Sequence, residues 1–139
     1  MDRARNHRRL MPVAALMAVA AGAFGAAPAE AQDGGRYRVL VPALAPQAGA
    51  DDGFGKDVAE EVRDALDAFA THAPVDNDVL DDALDKYDLD EEALTDCIKA
   101  RQLAVQTQAE LVMCGQYTES GDTRQVTSKF VVPTTGEEF

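Results

Sequence analysis

Four groups of residues in this chain have the types and spacing that chemistry would need. They are the pair Cys97 and Cys114, the lone imidazole His72, the glycine-containing loop "AGADDGFGKDVA" from Ala48, and the acidic run "DNDVLDDALDKYDLDEE" from Asp76. A thiolate next to an imidazole makes a nucleophile, and a glycine loop opening a helix cradles phosphate. Alternating carboxylates bind calcium.

Each of these meets an obstacle in its own neighbourhood. A phosphate-binding loop needs glycine where Ala50 stands and serine or threonine where Asp57 stands, and Asp51 and Asp52 would repel the anion that the amides attract. An EF-hand read from Asp76 puts Leu80 at a ligand position, and one read from Asp88 lacks the turn glycine. The apolar residues within the acidic run recur at helical spacing, so its carboxylates are expected on solvated helix faces. His72 is one of only two histidines in the chain. One histidine with two cysteines seventeen apart matches no zinc pattern. No catalytic residue, metal ligand or cofactor is expected.

The two cysteines remain. Cys97 falls on the inward side of an expected helix and Cys114 on the strand that follows, so a helix packed back on its own strand can bring them together. In an oxidising compartment the expected outcome is a structural disulfide, which for a loop of this size stabilises by about 3 kcal/mol. Two buried free thiols, or a reactive Cys114, are the alternatives.

The compartment is read from the other end of the chain. "MDRARNHRR" is basic, "LMPVAALMAVAAGAFGAA" is apolar, and Ala29 and Ala31 are small, which is the layout of a secretory signal peptide over residues 1–31 with cleavage after Ala31. A retained membrane anchor is the alternative reading, and Arg8-Arg9 gives little support to twin-arginine export. The expected location is periplasmic or secreted. Beyond residue 31 there are 9 basic and 23 acidic side chains, a balance of −14. Such a surface repels phosphate backbones and anionic membranes, so nucleic acid is not an expected partner.

Residues 32–36 read as a loose mature N-terminus and residues 37–139 as one small α/β domain. "RYRVLVPAL" is strand-like up to Leu44. Phe54, Val58, Val62, Leu66 and Phe69 form the stripe of an amphipathic helix. "THAPVDN" holds a brief strand, and a small helix follows with Val79, Leu80, Ala83, Leu84 and Tyr87 inward. Asp88 with Glu91 resembles a capping box opening a long helix through Leu94, Cys97, Ile98 and Val105. "ELVMCGQY" is a central strand, "RQVTSKFVV" its hairpin partner with an exposed edge, and Glu137–Phe139 the start of another strand. The expected fold is a βαβααββ-like α/β sandwich, a small mixed sheet with its helices on one side. Its core includes Val39, Val41, Val58, Val62, Leu66, Ile98, Val112 and Phe130.

This order, with "AELVMCGQY…TRQVTSKFVVPTTGEEF", resembles the amino-terminal domain of TolB and the related envelope domains of the curli-secretion CsgG and penicillin-binding-protein-activator LpoB type. Ala109, Glu110, Gly115, Tyr117 and Gly136 occupy the places of the motif. The resemblance implies a non-catalytic docking domain of the bacterial envelope with envelope proteins as partners. It also implies a fragment, continued in a longer chain by a propeller or helical repeats. The competing class is a small-ligand- or cation-binding domain, or a minor enzyme, built on the Ala48–Lys56 loop and the acidic helices.

Overall fold

The computed structural model describes residues 35–139, so the leader expected over residues 1–31 lies outside the described residues. The elements are β1 (Tyr37–Leu40), β2 (Ala45–Pro46), α1 (Phe54–Asp67), β3 (His72–Pro74), α2 (Asn77–Tyr87), a 3-10 turn (Glu91–Thr95), α3 (Cys97–Gln106), β4 (Leu111–Ser120) and β5 (Thr123–Val131). β3, β1 and β4 run parallel. β2 continues the line of β1 along the same side of β4, and β5 closes the other side antiparallel. This is the mixed α/β architecture expected from the sequence.

The helices do not share one side of the sheet. The path goes from β1 outward to β3 through α1, then back past β1 to β4 through α2 and α3. Two crossovers of the same hand in opposite directions along a sheet deliver their helices to opposite faces. The core is accordingly split in two. Val39, Val41, Leu44, Met113 and Tyr117 meet Ala59 and Leu66 of α1 on one face. Leu40, Val112, Cys114 and Val131 meet Leu80, Leu84, Leu103 and Ala104 on the other.

Within that frame Val39, Val41, Leu66 and Val112 are buried, and Val58, Val62 and Phe130 are packed against the α1-side core. Ile98 is a correction: it is 66% exposed. The long helix expected from Asp88 onward is in fact interrupted. Asp88 ends α2 in the left-handed conformation at φ 51, which a short polar side chain tolerates, and the turn that follows is 3-10. α3 then starts afresh at Cys97, and its buried positions are Ala100, Leu103 and Ala104, leaving Ile98 and Val105 outside. The capping box read at Asp88 is replaced by three simple caps: Asp76, Asp90 and Asp96 each accept a backbone N–H two or three residues on. Val79, Tyr87 and Phe69, expected inward, are also exposed.

Two glycines set how closely the layers approach. A Cβ added at Gly55, in the first turn of α1, would lie 2.3 Å from the Leu44 carbonyl oxygen and 3.0 Å from Cε1 of Tyr117. Gly115, in mid-β4, has Leu44 Cδ2 and the Thr127 carbonyl oxygen each 2.7 Å from its would-be Cβ. The hairpin turns on Gly121 at φ +60, the left-handed geometry of a two-residue loop. Gly55→Ala is expected to destabilise by about 2–3 kcal/mol, because the obstacle is backbone and overpacking outweighs the gain in helix propensity. A denaturant midpoint equal to that of the parent chain would show that α1 can slide to make room.

Candidate docking surface

The residues that could have done chemistry are consumed by the scaffold. Cys97 and Cys114 are joined, with Cα atoms 5.4 Å apart, and among the described residues no cysteine is free. The bond ties the start of α3 to the middle of β4. Cys114 belongs to the core beneath α2 and α3. His72 lies across the sheet, where it lines an apolar groove on the α1 side, its Nδ1 2.9 Å from the Thr71 hydroxyl and its ring 5.6 Å from that of Tyr37. Imidazole and sulfur therefore sit on opposite faces.

The Ala48–Lys56 loop is pinned to β4 through Asp51. Tyr117 is fully buried, and its hydroxyl donates to the carbonyl of Asp51. The Asp51 N–H donates to Glu119 at 3.1 Å, while its carboxylate accepts the Gly53 N–H at 2.8 Å. The Phe54 ring meets Tyr117 edge-on at 5.1 Å, and the Arg124 guanidinium lies 4.6 Å from its centre, itself 3.1 Å from Glu119. Burial pushes the Tyr117 hydroxyl above its ordinary range. The Gly55 backbone pulls it the other way, and the nearby Asp51, Asp52 and Glu119 carboxylates add to the rise. The phenol thus stays a donor at neutral pH.

A cleft of about 580 Å³ lies beside α1 and mixes Lys56 and Arg63 with Glu60, Asp64 and Glu91; Arg63 is 3.6 Å from Glu91. It offers no single sign of charge. Among the described residues no group of three or more histidine, cysteine or acidic side chains is arranged to hold a metal, and no helix is long and apolar enough to cross a membrane.

The positions of the motif are joints. Ala109 is buried and its N–H returns to the Ala104 carbonyl at the end of α3. Glu110 extends the β1–β4 ladder, its N–H donating to the Arg38 carbonyl and its carboxylate accepting the Arg38 N–H at 2.6 Å. Gly136, at φ +77, leaves room for the Arg101 guanidinium, which donates to the Pro133 carbonyl at 3.1 and 3.2 Å. Sequence reasoning missed Gly55, Arg101 and the Asp51 backbone as partners in these joints. No local pattern marks them, since Arg101 meets Pro133 32 residues away, the Asp51 carbonyl meets Tyr117 66 residues away, and Gly55 is pressed between the Leu44 carbonyl and the Tyr117 ring.

Two surfaces near the α1 side and the β5 hairpin stand out. On the α1 face a groove of about 200 Å³ is lined by Leu66, Phe69, His72, Leu111 and Phe130, with Phe69 57% and neighbouring Tyr37 56% exposed. The other is the outer edge of β5. Phe130 exchanges both backbone hydrogen bonds with Phe139, and Val132 donates to Glu137, so the strand expected at Glu137–Phe139 has begun along that edge. By alternation, the outward N–H and C=O groups of Ser128, Val126 and Arg124 are the next rungs, and no backbone group of the described residues meets them.

These features define a class: a small mixed-sheet α/β domain, covered on both faces, stapled by one disulfide and, among the described residues, open along the outer edge of its longest hairpin. Solved structures with this fold are the LpoB C-terminal domains of Escherichia coli (16% identity, TM-score 0.62, 73% of this chain and 76% of that one) and of Salmonella enterica (17%, 0.58, 75% and 76%). A lipoprotein of Neisseria meningitidis matches as well (15%, 0.58, 73% of each chain). No family model matches the chain, and no curated protein sequence matches it significantly. Of the three envelope types that the sequence resembles, LpoB is represented among these neighbours, and TolB and CsgG are not.

Proposed function

We propose that this protein is a non-catalytic docking domain of the bacterial envelope, exported by the leader expected at residues 1–31 and binding another envelope protein by strand addition. The observation that carries this reading is the open edge of β5, where Ser128, Val126 and Arg124 continue a ladder that Phe139 and Glu137 have already started. Added strands gain affinity from main-chain hydrogen bonds and therefore need few distinctive side chains. A long exposed edge is a liability that a soluble domain otherwise blocks or covers. The apolar groove at Phe69 and Phe130 reaches the end of β5 that Phe139 already pairs with and provides a separate seat for an anchoring side chain. The likeness to LpoB domains and to a lipoprotein supports an envelope setting.

The test separates edge from scaffold. Val126→Pro and Ser128→Pro remove outward donors and leave the β4 ladder intact, a position where an edge strand accepts proline. Capture of one defined protein from envelope extract in a salt-tolerant manner, abolished by both substitutions with folding retained, is the expected result. Capture unaffected by either substitution would rule out strand addition. No partner at all, together with a reproducible melting shift on adding calcium or a metabolite, would move the assignment to a ligand-binding domain using the Ala48–Lys56 loop.

A further inference from the structure

The outer face of α3 carries an arrangement that neither the core nor the β5 edge uses. Ile98 is 66% and Val105 45% exposed, although both are aliphatic. Seven residues apart, they share one side of the helix, with exposed Gln102 between them and buried Ala100, Leu103 and Ala104 opposite. Lys99 and Arg101 flank this stripe, and Cys97–Gln106 contains no carboxylate. The setting makes that unusual. α1 alone holds Asp57, Glu60, Glu61, Asp64 and Asp67, and beyond residue 31 acids outnumber bases 23 to 9. The nearest carboxylate in sequence, Asp96, is engaged by the Ile98 N–H at 2.8 Å. Arg101 is held in place by the Pro133 carbonyl, so a fixed cation stands beside the apolar stripe.

We propose that this face is a second docking surface, which takes an amphipathic protein segment whose aliphatic residues are flanked by carboxylates. Ile98 and Val105 provide the apolar seat, and Lys99 and Arg101 meet the acidic flanks. The remaining surface supplies selectivity, because its negative field repels such a segment from α1 and α2 and leaves α3 as the place of lowest repulsion. A second copy of this chain is a poor occupant. Two domains of −14 repel each other, and a ten-residue helix with two exposed aliphatic side chains falls short of the roughly 800 Å² per partner that a stable pair buries. This surface lies across the sheet from α1 and its groove, so the inference goes beyond the strand-addition reading and does not depend on it.

The experiment uses the purified chain with its disulfide intact and two defined probes. One is an amphipathic helical peptide with leucines at helical spacing flanked by glutamates, the other its lysine-flanked counterpart, and both are followed by amide NMR shifts. The glutamate peptide is expected to shift Ile98, Gln102 and Val105 and the lysine peptide to leave them in place. Ile98→Glu and Val105→Glu should each weaken binding roughly tenfold with the melting temperature unchanged, since neither side chain is in the core. Val126→Pro should leave this binding intact, which separates the α3 face from the β5 edge. Equal binding of both peptides, shifts that map elsewhere, or no binding of either would overturn the proposal. So would light scattering that shows a dimer dissolved by Ile98→Glu.

Discussion

Tyr117→Ala is expected to cost about 3–5 kcal/mol, the range for removing a large aromatic side chain from a packed core. Tyr117 is fully buried, and it connects β4, the start of α1 and the loop between β2 and α1. The void it leaves would not close easily. Gly55 stands beside the ring with no side chain to move in, and the Leu44 carbonyl fixes the distance between strand and helix. Tyr117→Phe separates the two parts of the effect: it keeps the ring and removes only the donor to Asp51, for about 1–2 kcal/mol. Urea denaturation of both variants, with the disulfide intact, measures the difference. A loss below about 1 kcal/mol for the alanine variant would mean that the loop and α1 are held by other contacts.

Opening the Cys97–Cys114 bond is the second large effect. The bond closes a 17-residue separation, and in the chain-entropy model a loop of this size stabilises by about 3 kcal/mol. For a domain near 100 residues each kcal/mol moves the melting temperature by about 4–8 °C, so reduction or the double variant Cys97→Ala/Cys114→Ala should lower it by roughly 12–24 °C. The sulfur of Cys114 is in the core, so the loss falls on the α2–α3 side of the sheet first. Mass spectrometry of the unreduced protein should find the two peptides joined. Full alkylation of both without reduction would remove the staple, and rapid modification of Cys114 alone at neutral pH would restore a reactive thiol to consideration.

Where the fold was legible in the sequence, the signal was local. Strand alternation in "RYRVLVPAL" and "RQVTSKFVV", the stripe Phe54–Val58–Val62–Leu66 and the turn glycines each depend on residues within one or two turns of one another, and β5, α1 and the hairpin stand where they were expected, while β1 stops at Leu40, short of the expected Leu44, and pairing resumes only at Ala45–Pro46. The pairing of Cys97 with Cys114 was legible for a related reason, since a helix and the strand that follows it are neighbours in space. The carboxylates of the acidic run also read correctly as solvated, although two of its aspartates, Asp76 and Asp90, turn out to cap helices, as Asp96 does just beyond it, instead of forming a box at Asp88.

The misreadings came where a helix phase or a crossover direction decided the outcome. Ile98 and Val105 are apolar at helical spacing, so periodicity alone sends them inward. The break at Asp96 resets the phase, and Ala100, Leu103 and Ala104 face the sheet instead. Helices on one side or on both is likewise not a property of any segment: it follows from β3 and β4 flanking β1, which reverses the direction of the second crossover. What the sequence by itself determined was most of the elements and the apolar sides of α1 and of the strands, because these depend on side chains close along the chain. What only the tertiary structure decided was which rungs of the expected β5 edge are taken by Glu137 and Phe139 and which are left, the exposed α3 face, and the close approaches that require glycine at 55 and 115. Each of these depends on how closely segments far apart in sequence approach, and a surface is left free only when no other part of the fold has covered it.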